Sequence, residues 1–380
     1  MTVQVREASA EELQSWDQEV ARFANCRVVH QRAWIRALEC SGHGRPLYLI
    51  FQKGGETVAY LPGLLVTLGP LRLFGSPLQG WQTASMGPVF DPARVSTEEM
   101  FSALIPFLER RHGVDHIELL SLDLDHAAMA AQGFRGESTP TYRAQLLPGD
   151  ERRMLKKLKE SARRNIRRGI KLGLRVRYEE DESFVDEHYD QLKEVYLHGG
   201  NRINFKQQRV LQCFRHSKAA GNLVAVSVLL PEKDISIATA MFTIAGKELL
   251  LWTWAHRIRY RWYCPTELMV WTVMTRAMEA GCDTFDLMGR GDFKTKFGAE
   301  LDSTKQRWVR SRYQWITAAR DLAQMGLRWR MAIAGHLVRM APRWRRATTP
   351  AAPPGGLPEP DGAGGSSESS NRPAALGRRP

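Results

Sequence analysis

Residues 285–298, FDLMGRGDFKTKFG, place a carboxylate, Asp286, shortly before three cations, Arg290, Lys294 and Lys296. A dinucleotide-binding fingerprint would need a third glycine at position 294, where this chain has lysine. The stretch instead predicts a strand that ends at Asp286 and a flexible turn that carries the cations to the edge of a sheet. There, Lys294 or Arg290 could stabilise the negative charge of a tetrahedral intermediate or of a substrate phosphate. The alternative is a plain turn with solvated lysines.

A second possible anion site lies where a helix is predicted to begin, at Pro265, which suits the first turn of a helix. The free amides from Thr266 onward and the helix dipole attract negative charge. Arg257, Arg259 and Arg261 precede this helix and could pair with phosphates in a bidentate manner. A CoA-like or nucleotide diphosphate group therefore fits here better than at residues 285–298. The alternative is an ordinary strand-to-helix connection with exposed arginines.

Few other side chains are candidates for acid–base or nucleophilic chemistry. Asp286 or Glu267 could accept a proton from an attacking amine or hydroxyl. His256, at the end of a predicted strand, is more readily explained as a structural histidine. The sequence has no HExxH or GxSxG signature, and its five cysteines include no CxxC pair. We therefore expect neither a metal site nor a disulfide framework.

The formal charge of +13 is concentrated in two segments. Residues 152–177 contain twelve lysines and arginines against one acid, Glu160, and residues 328–346 contain six arginines and no acid. The rest of the chain is mildly acidic. The charge therefore belongs to two local features, and we expect no DNA partner.

In the first basic segment, Leu155, Leu158, Ala162, Ile166 and Ile170 recur at spacings of three and four. This predicts one amphipathic helix with the cations on its other faces. A solvated face is the ordinary explanation of a charge run, but so many like charges repel one another and favour an anionic partner. That partner could be tRNA, an anionic membrane or a phosphorylated lipid-linked sugar. No aromatic residues are interleaved for stacking on single-stranded RNA.

The end of the chain divides into two further segments. Residues 316–347 predict a basic amphipathic helix, which could lie on an anionic membrane surface or pack on the protein body. Residues 348–380 are rich in Pro, Gly and Ser and predict a disordered tail. The N-terminus has no signal-peptide pattern, and no uncharged apolar run approaches the roughly 18 residues needed to span a bilayer. We expect a cytoplasmic protein, with peripheral contact at the inner face of the membrane as a further option.

The predicted elements alternate in an α+β pattern. Residues 1–145 read as mixed helices and strands, including a hairpin around Gly54 and helices that begin with the capping boxes Ser9–Glu12 and Ser96–Glu99. From residue 174 the order is strand, two helices, three consecutive strands, a long helix from Pro265 and a strand that leads into residues 285–298. This order is not a run of βαβ units.

Three stretches together carry a family resemblance: SARRNIRRGIKLGLRV (161–176), YRWYCPTELMVW (260–271) and FDLMGRGDFKTKFG. They resemble the FemA/FemB-like branch of the GCN5-related N-acetyltransferases (GNAT), which includes cell-envelope acetyltransferases and peptidoglycan-bridge aminoacyltransferases. The resemblance implies two GNAT-like domains in tandem, each a mixed, mostly antiparallel sheet flanked by helices. They would cover residues 1–150 and 151–315, with the acyl-donor site in the second.

The resemblance also implies roles for individual residues. Tyr263 would act as general acid toward a leaving thiolate, beside Asp286 and Lys294 as the other catalytic residues. The implied substrate-binding residues are Arg164, Asn165, Arg168, Arg290 and Lys296. The implied donor-binding residues are Arg259, Arg261, Thr266 and Glu267. Few catalytic groups are needed in direct acyl transfer, because much of the rate comes from holding donor and acceptor together.

The implied function is transfer of an acyl group, above all acetyl, from acyl-CoA to an amine or hydroxyl of a cell-envelope precursor or polysaccharide. Residues 257–265 lack the glycines of the Q/R-x-x-G-x-G/A loop that holds the pyrophosphate in this superfamily. Aminoacyl-tRNA is therefore an alternative donor, with tRNA as the partner. An alternative of another class is a non-catalytic module that uses the fold to dock nucleic acid or lipid.

Overall fold

A computed structural model describes residues 2–289 and 291–340 of the chain. The first half contains, in order, β1 (Val3–Glu7), α1 (Glu12–Val20), α2 (Arg32–Cys40), β2 (Arg45–Lys53), β3 (Glu56–Leu68), β4 (Leu71–Ser76), β5 (Val89–Phe90), α3 (Thr97–His112), β6 (His116–Ser121), α4 (His126–Ala131), β7 (Arg135–Ser138) and β8 (Thr141–Gln145). The second half continues with α5 (Glu151–Lys157), α6 (Glu160–Lys171), β9 (Arg175–Tyr178), α7 (Phe184–His198), α8 (Gln207–Ala219), β10 (Leu223–Leu229), β11 (Ser236–Ala245), β12 (Glu248–His256), α9 (Pro265–Glu279), β13 (Thr284–Asp286), β14 (Glu300–Asp302), β15 (Gln306–Ser311) and α10 (Gln314–Met340). Short 3-10 helices cover Val28–His30, Ile258–Tyr263 and Asp292–Phe297.

The strands form two mixed sheets. The first has the order β1-β2-β3-β4-β6-β15-β7, with β5 paired to β3, and the second has the order β14-β8-β13-β12-β11-β10-β9. Neighbouring strands are antiparallel except for β4–β6 and β12–β13, which are parallel. The predicted α+β class, with mostly antiparallel mixed sheets flanked by helices, is confirmed.

The two sheets exchange strands across the sequence. β8 lies before residue 150 but pairs with β13 and β14 of the second sheet, while β15 lies within residues 151–315 but pairs with β6 and β7 of the first. The predicted division into units 1–150 and 151–315 thus does not follow the sheets. Each sheet contains a strand from the other half of the chain, so neither sheet is complete without it.

Local signals at two helix starts are confirmed. At the start of α3, the Ser96 hydroxyl accepts a hydrogen bond from the Glu99 amide at 3.1 Å, and the Glu99 carboxylate accepts one from the Ser96 amide at 2.9 Å. Ser9 and Glu12 make the same reciprocal pair at 3.2 and 2.9 Å, although α1 itself begins at Glu12. Each such cap stabilises its helix by about 1 kcal/mol, because it satisfies amides that the helix leaves free.

The two faces of the second sheet carry separate apolar cores. On one face, Phe285 packs with Met274 and the rest of α9 and with α6. On the other face, Trp252 packs with Trp34 of α2 and Phe214 of α8, and this core also includes residues from the first sheet. Strand β13 therefore has one face toward α9 and the other toward the first half of the chain.

The first basic segment differs from the prediction of one continuous helix. It forms two helices, α5 and α6, because Lys159 adopts an extended conformation (φ −59°, ψ 150°) and its amide donates to the carbonyl of Lys296 at 3.0 Å. Leu158, Ala162 and Ile166 are buried as the spacing predicts, but Ile170 is 61% exposed. The apolar stripe therefore ends one turn earlier than predicted, and the break ties the basic segment to residues 292–297.

The predicted C-terminal helix 316–347 corresponds to α10, which runs from Gln314 to Met340. Residues 341–347 of that prediction, and the predicted tail 348–380, lie outside the described residues. Within residues 2–289 and 291–340, no helix combines the length and the apolar character needed to cross a membrane.

Candidate active site

The parallel strands β12 and β13 pair over only three residues. Their register runs from Glu248 opposite Thr284 to Leu250 opposite Asp286, and β12 then continues alone on this side to His256. A bulge at Trp252 interrupts the pairing of β12 with β11 at the same level. The second half of β12 therefore borders an opening in the sheet, at the point where β13 ends at Asp286 as the sequence predicted.

The chain leaves β13 through a tight corner. Met288 and Gly289 both have positive φ angles, 53° and 43°, which are rare for a residue with a side chain such as Met288. Asp286 Oδ1 accepts hydrogen bonds from the Met288 amide at 2.7 Å and the Thr141 hydroxyl at 2.8 Å. Lys294 folds back so that its amine donates to the carbonyls of Met288 and Gly289, the latter at 3.2 Å. A carboxylate and a lysine thus hold the corner from both sides.

The interior behind this corner is charged. Asp286 is fully buried, and its Oδ2 atom has no hydrogen-bond partner among the described residues. Burial lowers the pKa of Lys294 to about 8, although Asp286 partly offsets that effect. Lys305 is also buried, and burial lowers the pKa of its amine despite attraction by Asp286. Two buried lysines therefore flank one carboxylate. The sequence did not single out Lys305 or Thr141, because both are distant from Asp286 along the chain.

A second group of predicted residues meets at the start of α9. The Asn165 side chain donates to Glu267 Oε1 at 2.9 Å, and the Lys296 amine donates to the same oxygen at 3.3 Å. Glu267 is only 9% exposed. Three residues that are far apart in the sequence are therefore connected by hydrogen bonds: Asn165 of α6, Glu267 of α9 and Lys296 after β13.

Asp286 and the start of α9 lie toward opposite faces of the second sheet. Side chains alternate along a strand. Phe285 and Leu287 pack into the core with α9, whereas Met288 packs on the other face. Asp286 shares the face of Met288, while Tyr263 packs against the core of α9. The predicted catalytic pair Asp286 and Tyr263 is therefore not brought together on one face.

The first amides of α9 lack a side-chain cap among the described residues. Pro265 occupies the first turn, and Cys264 before it is left-handed (φ 54°, ψ 46°). A left-handed conformation is the one that favours glycine. The loop thus adopts a conformation typical of glycine although it contains none.

Cations surround this helix start. Burial raises the pKa of the Cys264 thiol, as does Glu267, while the positive charges of Arg168, Lys296 and Arg164 counteract the increase. Arg164 and Arg168 are exposed on α6.

The three arginines before α9 separate into two kinds. Arg257 forms ion pairs with Glu187, Asp190 and Glu194 on α7, so the suggestion that it binds a phosphate is corrected: its guanidinium is already occupied. Arg259 stacks on Tyr260 at 4.6 Å, and Arg261 stacks on Trp262 at 5.1 Å. Neither forms an ion pair within the described part of the chain, and both remain available for an anion.

The remaining predicted residues are placed as follows. Tyr263 ends the 3-10 helix before α9, is partly buried, and lies edge-on to Tyr260 with ring centres 6.1 Å apart. His256 is largely buried against the ring of Trp254, and burial lowers its pKa, which agrees with a structural role. Arg290 lies outside the described residues.

The structure contains two charged features that the sequence did not reveal. Arg209 is 2% exposed, and its guanidinium lies 5.2 Å from the rings of both Trp34 and Trp252 without an acceptor among the described residues. At the other end of β12, a cavity of about 410 Å³ is lined by Arg27, Glu248 and other residues of both halves. Neither feature has a local sequence signal, because each is assembled from distant segments.

No group of three or more His, Cys, Asp or Glu residues in the described chain is arranged to hold a metal ion.

Residues 156–297 match the model of the acetyltransferase (GNAT) domain family. These residues therefore form a GNAT-type acetyltransferase domain. The matched segment contains α6, α9, the divergence of β12 from β13 and the corner after Asp286. The match confirms the predicted resemblance and the prediction of an acyltransferase. No curated protein sequence matches the chain.

Solved structures are similar to this chain over about four fifths of its length. The crystal structure of FemX is similar with a TM-score of 0.66 and 14% identity, over 80% of this chain and 96% of FemX. A tandem GNAT protein from the clavulanic acid biosynthesis pathway has a TM-score of 0.48 and 12% identity, over 81% of this chain and 98% of its own. The C-terminal domain of a putative lysylphosphatidylglycerol synthetase from Agrobacterium fabrum has a TM-score of 0.48 and 16% identity, over 84% and 95%. The overall fold of this chain is that of FemX.

Proposed function

We propose that this GNAT chain transfers an acyl group, above all acetyl, from acyl-CoA to an amine or hydroxyl of a cell-envelope precursor or polysaccharide in the cytoplasm. One observation carries the proposal: β12 and β13 pair over three residues and then separate, directly beside the uncapped start of α9. An opening in the sheet near free helix amides supports the proposal, because the thioester could enter the opening while the amides bind the phosphates of the donor.

The residues at the start of α9 fit a CoA diphosphate. Free amides at a helix N-terminus and unpaired arginines are the groups that bind phosphates, and the helix amides from Thr266 onward, Arg259 and Arg261 supply both. When bound, acyl-CoA would supply an activated thioester. The left-handed Cys264 supports this assignment, because it gives the loop a conformation that the missing glycines would otherwise provide.

Within this proposal, the buried and exposed acids take different roles. Asp286 is fully buried and holds the corner at Met288, so we assign it a positioning role. Glu267 lies among the cations at the start of α9 and retains some exposure, so it is the better candidate to accept a proton from the acceptor. Lys294, at the exit of β13, would stabilise negative charge that develops on the acyl oxygen. Tyr263 would return a proton to the leaving thiolate.

The cations of α6 suggest an anionic acceptor. Arg163 and Arg167 are paired with Glu160, whereas Arg164 and Arg168 are exposed, form no ion pair within the described chain and lie near the start of α9. Phosphate groups are typical of activated envelope and polysaccharide precursors, and exposed arginines on a helix can bind them. The same cations would also bind the phosphates of a charged tRNA, which keeps aminoacyl-tRNA as the alternative donor.

The test is to incubate the purified full chain with acetyl-CoA and a panel of nucleotide-linked amino sugars, lipid-linked sugars and polysaccharide fragments. Mass spectrometry then measures free CoA and acylated product, and a parallel arm measures deacylation of charged tRNA. We expect CoA release that depends on the acceptor and falls strongly in Lys294→Ala. The exposed Lys233→Ala is the matched control and should keep full activity.

Two results would contradict the proposal. Deacylation of charged tRNA without any use of CoA thioesters would identify the alternative donor. If the protein keeps its cellular function with both Asp286→Ala and Lys294→Ala, it is a non-catalytic docking module that uses the same fold.

A further inference from the structure

The first turns of α10 are fixed to the first sheet by a defined face. Ile316 is 4% exposed. The Arg320 guanidinium donates to Glu118 at 3.0 Å and to Glu137 at 2.8 Å. Arg135 donates to Asp321 at 2.9 Å. Helix α10 therefore projects from the protein body in a fixed orientation, and the packed side of its first turns is the side of Ile316 and Arg320.

Another face of α10 is apolar and exposed. Its five large apolar residues are more than half exposed, between 51% and 67%, and we call them the outer stripe: Trp315, Leu322, Met325, Trp329 and Ile333. They follow one another at spacings of seven, three, four and four residues, so that they share one face of the helix. Isolated exposed apolar residues are ordinary, but a continuous stripe marks an interaction surface.

The outer stripe and the packed residues lie on different sides of the helix. At about 100° of rotation per residue, Leu322, Trp329 and Ile333 fall within roughly 40° of Trp315, whereas Arg320 points well away from them. The packing of α10 on the protein body therefore uses the side of Ile316 and Arg320 and leaves the outer stripe uncovered. The outer stripe therefore does not pack on the protein body, which was the alternative considered for the C-terminal helix.

The charge next to the outer stripe indicates what covers it. Residues 322–347 contain six arginines and no Asp or Glu, and Arg330 lies exposed beside Trp329. An apolar helix face flanked by cations is suited to the surface of an anionic bilayer, where the apolar side chains enter the interface and the arginines meet lipid headgroups. If two copies paired through this stripe, two acid-free arginine segments would be brought together, and their repulsion would oppose pairing.

We propose that the outer stripe of α10 docks this protein on an anionic membrane surface, with the helix lying along the bilayer and not crossing it. The proposal does not depend on the identity of the acyl donor or acceptor. Docking would hold the acyltransferase at the surface where lipid-linked acceptors are found.

The experiment uses the full chain and vesicle flotation. Phosphatidylcholine vesicles with and without phosphatidylglycerol are mixed with the protein at low and high salt. We expect binding to the vesicles that contain phosphatidylglycerol, weaker by roughly tenfold on phosphatidylcholine alone and reduced at high salt, because arginine–headgroup attraction is screened. Leu322→Glu should lower binding by roughly tenfold, because it puts a charge into the apolar stripe.

A matched substitution elsewhere provides the control. Leu68, the last residue of β3, is 64% exposed and Leu322 is 63% exposed. Leu68→Glu therefore makes the same change at the same exposure and should bind vesicles like the wild type. Equal binding of Leu322→Glu and wild type would overturn the proposal. So would a concentration-dependent dimer in sedimentation velocity that Leu322→Glu abolishes, since the stripe would then be covered by a second copy. These readouts need neither CoA nor acceptor, so they remain separate from failure of the proposed reaction.

Discussion

The substitution Lys294→Met tests whether Lys294, in the corner after Asp286, contributes to catalysis or only to the stability of the fold. In the wild type Lys294 is 6% exposed, and burial lowers the pKa of its amine from 10.5 to about 8 despite the nearby Asp286. A fall of this size corresponds to about 3 kcal/mol, which is the free energy that the folded state loses by keeping this amine charged. Methionine has a similar length and no charge, so it removes that penalty together with the two hydrogen bonds to backbone carbonyls.

The sign of the pH dependence follows from the lowered pKa. Between about pH 8 and pH 10.5 the unfolded chain still binds the Lys294 proton while the folded chain has released it, so the free energy of unfolding rises with pH across this window. Over this pH range, Lys294 should raise the free energy of unfolding of the wild type by up to about 3 kcal/mol. The variant Lys294→Met should lack this increase. A smaller rise from Lys305, whose pKa is also lowered, remains in the variant.

Chemical denaturation at several pH values measures the free energy of unfolding, and CoA release measures kcat. If Lys294 stabilises the developing oxyanion, the variant should lose roughly 100- to 1,000-fold in kcat. Wild-type activity should also fall as pH rises through about 8, because the amine loses its charge. Lys233→Met, at an exposed position, should change neither quantity. Full activity of Lys294→Met, or an unchanged rise of its stability with pH, would refute the reasoning.

Three further predictions concern other parts of the molecule. Arg259→Ala combined with Arg261→Ala should raise KM for acyl-CoA roughly tenfold with little change in kcat, because these arginines bind donor and transition state alike. Glu267→Gln should lower kcat by roughly 100-fold or more at unchanged stability in thermal unfolding, if its carboxylate accepts the proton. Glu118→Gln should lower the free energy of unfolding in urea by about 3–5 kcal/mol, because Arg307 and Arg320 lose the buried carboxylate that pairs with them.

Each of these predictions has a contrasting result. Arg257→Ala should reduce stability and leave KM unchanged, since Arg257 pairs with α7, and a KM effect there would contradict the division of the arginines. Burial raises the pKa of Glu118, but His116, Arg307 and Arg320 lower it to about 2. The carboxylate therefore contributes stability above about pH 4.5 that is lost as pH falls toward 2. Acid unfolding identical in wild type and Glu118→Gln would contradict this account.

The sequence predicted best the features that depend on neighbouring residues. The Ser96–Glu99 capping box, the strand that ends at Asp286 and the helix that begins at Pro265 each depend on a few adjacent side chains, and all are present. The break between α5 and α6 was missed, because it depends on a hydrogen bond from Lys159 to the distant carbonyl of Lys296. Helical spacing alone contains no information about such a contact.

The predicted site shows the same limit. Sequence patterns identified Asn165, Glu267 and Lys296 individually, but only the fold brings them onto one carboxylate oxygen. The patterns also grouped Asp286 with Tyr263, which the alternation of side chains along β13 separates onto opposite faces. Lys305 could not be identified, because its proximity to Asp286 arises when β15 crosses into the first sheet.

Hydrogen–deuterium exchange of the full chain with and without acetyl-CoA would locate the donor site. We propose that the donor binds at the divergence of β12 from β13, so we expect acetyl-CoA to slow exchange at residues 252–256, 264–268 and 287–289. Slower exchange confined to the cavity lined by Arg27 and Glu248 at the other end of β12, or no change at any segment, would contradict this donor site.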